Sequence, residues 1–238
     1  MTAGAGGGEA IYSERFPEED AAQAAWRREI WRVLVADFFS RWIPEDARVL
    51  DFGCGFGEFI NAVRARRRIG VDLRESVRER LAEGVEFARV EGTRLPQLAD
   101  ASLDVIFCSN LLEHLPDRET VTDLLREFHR LIGPQGRVLL LGPNLRYTGA
   151  AYWDFFDHVL PFTHRTLLEA LATADLTAET LIPRFLPYTT VGARRTPVAL
   201  VRLYLRWPLA WRFLGAQFFA VARRRGPGSS GPGSRAAL

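Results

Sequence analysis

Val49-Leu50-Asp51-Phe52-Gly53-Cys54-Gly55-Phe56-Gly57-Glu58-Phe59 is the stretch whose reading decides the fold. An apolar pair runs into an acid, then into three glycines at alternate positions, then into a helical pattern. That order describes a strand delivering a turn. Glycines there let the backbone take left-handed conformations and let a ligand lie directly on the main chain. Glycines also mark ordinary tight turns, so the loop has to be judged with its surroundings. The dinucleotide fingerprint needs a further glycine three positions after the second of a pair. Counted from Gly53 that slot holds Glu58, and counted from Gly55 it holds Ile60. A P-loop needs a Gly-Lys pair, and this chain contains no lysine, which also removes Schiff-base chemistry.

Around this stretch, Arg48 to Phe52 reads as the first strand and Glu58 to Arg66 as a helix whose N-terminus faces the ligand. Upstream, Trp26, Ile30, Val33, Leu34, Phe38 and Trp42 recur at helical spacing over Asp20 to Trp42, and Pro44 closes that helix. Downstream, Ile69 to Leu73 is a second strand carrying Asp72 about twenty residues beyond the loop, the offset at which such folds hold a ribose. A carboxylate suits vicinal hydroxyls because it accepts two hydrogen bonds at once. The alternative is that Asp72 caps a helix over Arg74 to Leu81. Val85 to Val90, Leu103 to Cys108 and Arg137 to Leu141 complete five apolar strands, separated by helical segments that include Asp117 to Leu131 and by a turn at Gly133-Pro134-Gln135-Gly136. Such alternation predicts an α/β fold with a parallel, doubly wound sheet, in which ligands sit at the carboxyl ends of the strands. Asp51, Asp72, Glu91 and Asn110 all fall there.

This pattern resembles the class I S-adenosylmethionine-dependent methyltransferases, from Tyr12 to Arg225 and most closely from Val49 to Asn144. The resemblance implies a Rossmann-like, seven-stranded, mostly parallel sheet with an antiparallel last strand. It also implies S-adenosylmethionine as cofactor, with S-adenosylhomocysteine as product. Asp51, Gly53, Cys54, Gly55 and Gly57 would cradle the amino-acid part, and Asp72 with Leu73 the ribose. Glu91, Gly92 and Thr93 would hold the adenine, with glutamate standing where the family more often has aspartate, and Asn110 would flank the cofactor beside Leu112-Glu113-His114-Leu115. His114 reads either as a base or as a wall of the site. Tyr12 and Arg15 resemble the family's N-terminal lid, or else form a solvated arm.

The acceptor side is read from the aromatic stretch Gly142 to Thr163, too long to be a passive loop. A base there would be a histidine paired with a carboxylate, so Asp157-His158 and His164 are the catalytic candidates, His158 first. Thr166 to Glu169 has capping-box spacing and starts a helix to about Ala174. Thr177 to Leu186, interrupted at Pro183, and Gly215 to Ala222 are the last two strands. Between them, Tyr188 to Leu214 interleaves apolar residues with Arg202, Arg206 and Arg212. It reads as a lid over the acceptor or as an interfacial segment on anionic lipid, and its arginines and Pro208 argue against a spanning helix.

A chain of 238 residues with 47% hydrophobic content supports one such domain, taken as 20–225, with a flexible arm over 1–19 and an unstructured Gly/Pro/Ser tail over 226–238. The formal charge of +2 gives no global field for nucleic acid. Cys54 and Cys108 are too few for a disulfide framework and lack metal-ligand spacing, so no metal site and a cytoplasmic location are expected, with peripheral contact at the inner face of the membrane an option. The N-terminus lacks signal-peptide order. The expected reaction is methyl transfer, to oxygen before nitrogen, on a small-molecule or saccharide/glycolipid acceptor. Two other readings stay open: a non-catalytic protein of this fold that docks through 188–214, and a nucleotide-linked oxidoreductase, which the glycine spacing disfavours.

Overall fold

The structure is a computed structural model that describes residues 21–188 and 195–226. Tyr12, Arg15 and most of the arm and tail fall outside these residues.

Seven strands form one sheet in the order β3-β2-β1-β4-β5-β7-β6. They are β1 (Arg48–Phe52), β2 (Arg67–Asp72), β3 (Val85–Arg89), β4 (Leu103–Ser109), β5 (Ile132–Pro143), β6 (Leu176–Ile182) and β7 (Gln217–Arg224). Strands β1 to β5 pair in parallel, and β7 runs antiparallel to both β5 and β6. The seven-stranded, mostly parallel sheet with an antiparallel last strand is therefore present as expected.

The central strands are buried on both faces. Adjacent residues of one strand point to opposite sides. Leu50, Phe52, Ile106, Cys108, Val138 and Leu140 pack on one side against Leu124, Leu125 and Phe128. Val49, Val105, Phe107, Leu139 and Leu141 pack on the other, against Val33, Phe38, Phe39 and Phe59. Neither face has room for polar alternation, so these strands read as unbroken apolar runs.

The helices that cover the sheet are α1 (Ala21–Asp37), α2 (Glu58–Ala62), α3 (Arg118–Leu131), α4 (Leu145–Thr148), α5 (His164–Thr173), α6 (Val198–Arg206) and α7 (Pro208–Leu214). Helix α3 is as read: Asp117 Oδ1 accepts from the Thr120 N–H at 2.7 Å, and Val121, Leu124, Leu125, Phe128 and Leu131 are buried.

Several boundaries differ, each for a local reason. The helix after the glycine turn stops at Ala62 rather than Arg66. Its Asn61 side chain donates to Arg80 O at 2.9 Å and accepts from Ala82 N at 2.7 Å, which commits it to the neighbouring connection. The segment expected as a helix over 74–81 is a 3-10 turn, Glu75–Arg80. Gly133 to Gly136 lies within β5, but the pairing jumps from Leu103↔Ile132 to Val105↔Arg137, so the four residues form an outward excursion instead of ending the strand. Helix α5 starts three residues earlier than its capping-box reading: Thr163 and Thr166 cap each other, and Glu169 is inside the helix. The last strand runs to Arg224 instead of Ala222.

Candidate active site at the carboxyl edge of the sheet

The glycine turn carries left-handed backbone at Gly53 (φ 76°), Gly55 (φ 56°) and Gly57 (φ 76°). L-residues reach that region only at a cost, and a Cβ on Gly57 would stand 2.8 Å from Leu81. The turn's N–H groups are engaged. Gly53 and Cys54 both donate to Val71 O, at 2.8 and 2.9 Å, and Gly57 donates to Cys54 O at 2.8 Å. Cys54 is buried with its sulfur toward Gly70, so only its main chain faces the turn. Burial, with Glu58 and Asp72 nearby, holds the Asp51 carboxyl well above its ordinary range, partly offset by a hydrogen bond from the Ile60 main chain. Asp51 thus organises the first turn of α2.

Asp72 is engaged with two neighbouring segments of the chain. Its Oδ2 accepts from Gly55 N at 2.9 Å, which fastens the glycine turn to the end of β2. Its Oδ1 accepts from Arg74 N and Nε at 3.0 and 3.2 Å, which braces the entry to the 3-10 turn without capping it, since the N-cap is Arg74 itself. Leu73 beside it is exposed. Phe56 at the tip of the turn lies under three guanidinium groups, Arg27 at 4.3 Å, Arg80 at 4.7 Å and Arg74 at 5.9 Å. Arg27 also pairs with Glu58 at 2.6 Å, so α1 is tied to the turn. None of these arginines was read as a site residue from the sequence.

At the third strand end, Glu91 turns outward and pairs with Arg89 at 2.5 Å. Gly92 has open space where a Cβ would stand, and Thr93 is half-buried. Asn110 takes a left-handed backbone (φ 49°) and donates to Ser109 Oγ at 3.0 Å. Leu111 then lies over Gly53, 3.3 Å from where a Cβ would be, so the ends of β1 and β4 close on each other.

The acceptor segment folds back onto the end of β4. Val159 and Leu160 N–H groups both donate to Glu113 O, at 2.8 and 3.1 Å. This brings Asp157 to His114: the imidazole Nδ1 lies 3.0 Å from Asp157 O and 3.2 Å from Asp157 Oδ2. Facing two acceptors, Nδ1 carries the proton, which leaves Nε2 as the basic nitrogen of the neutral ring. Burial lowers the His114 pKa, but the Asp157 hydrogen bond and the Glu113 and Asp157 charges outweigh it, and the net shift is upward. Glu113 is almost fully buried, and desolvation pushes its pKa to about 7. His158 is buried among His114, Tyr152 and Phe155, with ring centroids at 4.8, 4.7 and 5.0 Å. Sequence reasoning paired Asp157 with its neighbour His158; the fold pairs it with His114. The only signal was the Glu-His dipeptide after β4.

Glu113, His114 and His158 place one ligand-type atom each within 4.8 Å of one another; at metal–ligand distances of about 2.0–2.2 Å the three would have to draw together to hold a cation. The sequence spacing gave no hint of this cluster, because forty-odd residues separate its two halves.

His164 belongs to a different cluster. Its Nδ1 receives the Asn144 Nδ2–H at 2.9 Å, and the same amide donates to Pro183 O at 2.8 Å. Burial, together with Arg146 and Arg165, pushes the His164 pKa down. Tyr147 stacks on it at 6.1 Å with Arg184 above that ring at 4.6 Å. It ties β5, α5 and β6 together. A cleft of about 500 Å³ lined by Glu45, Asn61, Val63 and Arg68 lies at the opposite, amino end of β1 and β2 and is unrelated to this edge.

A methyltransferase-domain family model matches residues 23–181, which takes in the glycine turn, Asp72, Glu113 and Asp157. The chain belongs to the class I S-adenosylmethionine-dependent methyltransferases. S-adenosylmethionine is the cofactor of this family. The residues present fit that cofactor: a cradle of three left-handed glycines, an acid at the next strand end and open space at Gly92. Ubiquinone biosynthesis O-methyltransferase of Pseudomonas aeruginosa is 32% identical over 113 residues, covering 42% of this methyltransferase and 47% of that protein. The alignment thus spans about half the length of the curated relatives it reaches. Among solved structures, a SAM-dependent methyltransferase from Archaeoglobus fulgidus superposes with a TM-score of 0.61 at 19% identity, covering 91% of this chain and 99% of that one. Geranyl diphosphate C-methyltransferase from Streptomyces coelicolor A3(2) does so at 0.57 and 20% identity, covering 81% and 77%. At these identities the superpositions speak for the fold alone.

Proposed function

We propose that this methyltransferase transfers the methyl group to a hydroxyl oxygen of a small-molecule acceptor, with His114 as the base and Asp157 as its positioning partner. The observation that carries this is the short contact of His114 Nδ1 with two oxygens of Asp157, which leaves Nε2 to take a proton. A hydroxyl needs such a group because its oxygen becomes a good nucleophile only as its proton leaves. The O-methyltransferase relatives lend associational support.

When bound, S-adenosylmethionine supplies a methyl group on a sulfonium. The glycine turn and Asp72 would hold the amino-acid and ribose parts, and Leu73, Gly92 and Thr93 would border the adenine. Asp72 Oδ2 accepts one hydrogen bond and Oδ1 two, so Oδ2 has room for a sugar hydroxyl, while a second one on Oδ1 would have to displace the Arg74 side chain. The chain's own residues then orient the acceptor, exclude water and receive the proton at His114 Nε2. His158, Tyr152 and Phe155 form the buried aromatic support behind that imidazole. In this reading His158 backs the base, and His164 fixes the frame of the loop.

The test is formation of S-adenosylhomocysteine from a panel of phenols, catechols, saccharides and amines. His114→Ala and Asp157→Asn are expected to lower kcat about a hundredfold or more with the best acceptor while leaving S-adenosylmethionine affinity within about twofold. A panel that yields only N-methyl products, or variants with full kcat, would reject the proposal.

A further inference from the structure

The hairpin α6–α7 is firmly mounted yet leaves an apolar face uncovered by any described residue. Its inner side is anchored by Leu205, Ala210 and Trp211, all buried. Trp211 Nε1 donates to Tyr204 O at 2.8 Å, Tyr204 Oη donates to Phe185 O, and Arg184 donates to Gly215 O and Phe213 O, both at 2.8 Å. Phe38 at the end of α1 stacks on Phe185 at 4.1 Å and meets Trp211 edge-on at 5.7 Å. The outer side carries Leu200, Leu203, Trp207, Leu209, Phe213 and Leu214, each between 50% and 72% exposed. Soluble surfaces rarely leave so many large apolar side chains together in fifteen residues without a partner.

Charge says what the partner is. All 29 acidic residues of the chain lie between Glu9 and Glu179, and ten of its 31 arginines lie beyond Glu179 with no acid among them. The small overall charge therefore hides an asymmetry along the chain; of these ten, Arg223 and Arg224 end β7 and Arg225 follows it, at the opposite, amino edge of the sheet, and Arg202, Arg206 and Arg212 are the ones on the hairpin. Arg202, Arg206 and Arg212 are exposed on the hairpin itself, and among the described residues Arg202 lies 3.7 Å from an acid, Asp37. Neither helix is long and apolar enough to cross a membrane.

We infer that the outer face of α6–α7 docks on an anionic lipid surface, its apolar residues at the level of the acyl boundary and its arginines against phosphate headgroups. The hairpin leaves β6 at Ile182 and re-enters β7 at Gln217, which pairs with Pro143, so it stands at the same carboxyl edge as the active site. Docking there turns that edge toward the bilayer. The inference does not depend on the identity of the acceptor or of the base.

The experiment is co-sedimentation of the full chain with vesicles of pure phosphatidylcholine and of phosphatidylcholine mixed with phosphatidylglycerol. Binding to the anionic vesicles is expected, with weak binding to the neutral ones and release as salt is raised. The variant carrying Arg202→Gln, Arg206→Gln and Arg212→Gln should lose about tenfold or more in partition. A second variant, Leu203→Ser with Phe213→Ser, should lose a comparable factor while S-adenosylmethionine titration shows an unchanged fold. Failure to bind anionic vesicles overturns the inference, and so does binding that both variants retain. It is equally overturned if the chain sediments as a dimer that the Ser variant dissociates, since a second copy would then be the occupant.

Discussion

At the residue scale, Asp72 and Asp157 each act through a main-chain or imidazole partner on another element. Asp72 clamps Gly55 N, so Asp72→Ala should loosen the glycine turn as well as remove a ribose acceptor. Asp72→Asn keeps one acceptor oxygen and should lose less affinity than alanine in calorimetric titration. Gly53→Ala places a Cβ on a φ of 76°, at a strain of roughly 1–2 kcal/mol, and against Leu111 at 3.3 Å. Thermal unfolding should report that loss. The glycines, Asp51 and Asp72 were legible in the sequence because each sits at a strand end marked by an apolar run. The partnership of Asp157 with His114 was not legible, since it depends on how the 144–163 segment hangs its N–H groups on Glu113 O.

At the element scale, α3 and the connection before β4 are joined by Glu127, which is fully buried. It accepts from Leu95 N at 2.8 Å and from Arg130 at 2.6 Å, and lies 3.2 Å from Arg94. Desolvation raises its pKa, but these hydrogen bonds and charges outweigh it and hold the folded-state pKa below the ordinary glutamate value. A depressed folded pKa means that the stabilisation is fully present above the unfolded pKa of about 4.3 and fades as the pH falls through the folded value. Glu127→Gln should therefore destabilise by about 1–3 kcal/mol at pH 7, with the difference from wild type shrinking below about pH 4. Denaturant titrations at the two pH values check this. Thr163→Ala removes the cap of α5 and should cost about 1 kcal/mol. Helix α3 was readable to within a residue because its apolar stripe and Asp117 cap agree. The helix after the glycine turn was overextended because periodicity does not reveal that Asn61 is bonded to a neighbouring connection.

At the scale of the whole molecule, five apolar runs already implied the doubly wound parallel sheet, and the resemblance to the methyltransferases implied its antiparallel end. The packing that joins the two parts is an aromatic cluster in which Phe38, Phe185, Trp211 and Phe219 meet. Phe185→Ala opens a cavity there and should destabilise by about 3–5 kcal/mol, releasing the hairpin as well as the core. Spacing along the chain could not show this, because the rings come from α1, the β6 exit, α7 and β7. Nor could it show that the cofactor turn, the His114–Asp157 pair and the hairpin all stand on one edge of the sheet.

The most direct test of the account is calorimetric titration of the wild-type chain and of Asp72→Ala with S-adenosylmethionine. The structure predicts one site per chain in the wild type and at least a tenfold loss in the variant, whose fold is confirmed by circular dichroism. No heat of binding up to millimolar S-adenosylmethionine, or equal affinity in the two proteins, would contradict the site described at the glycine turn.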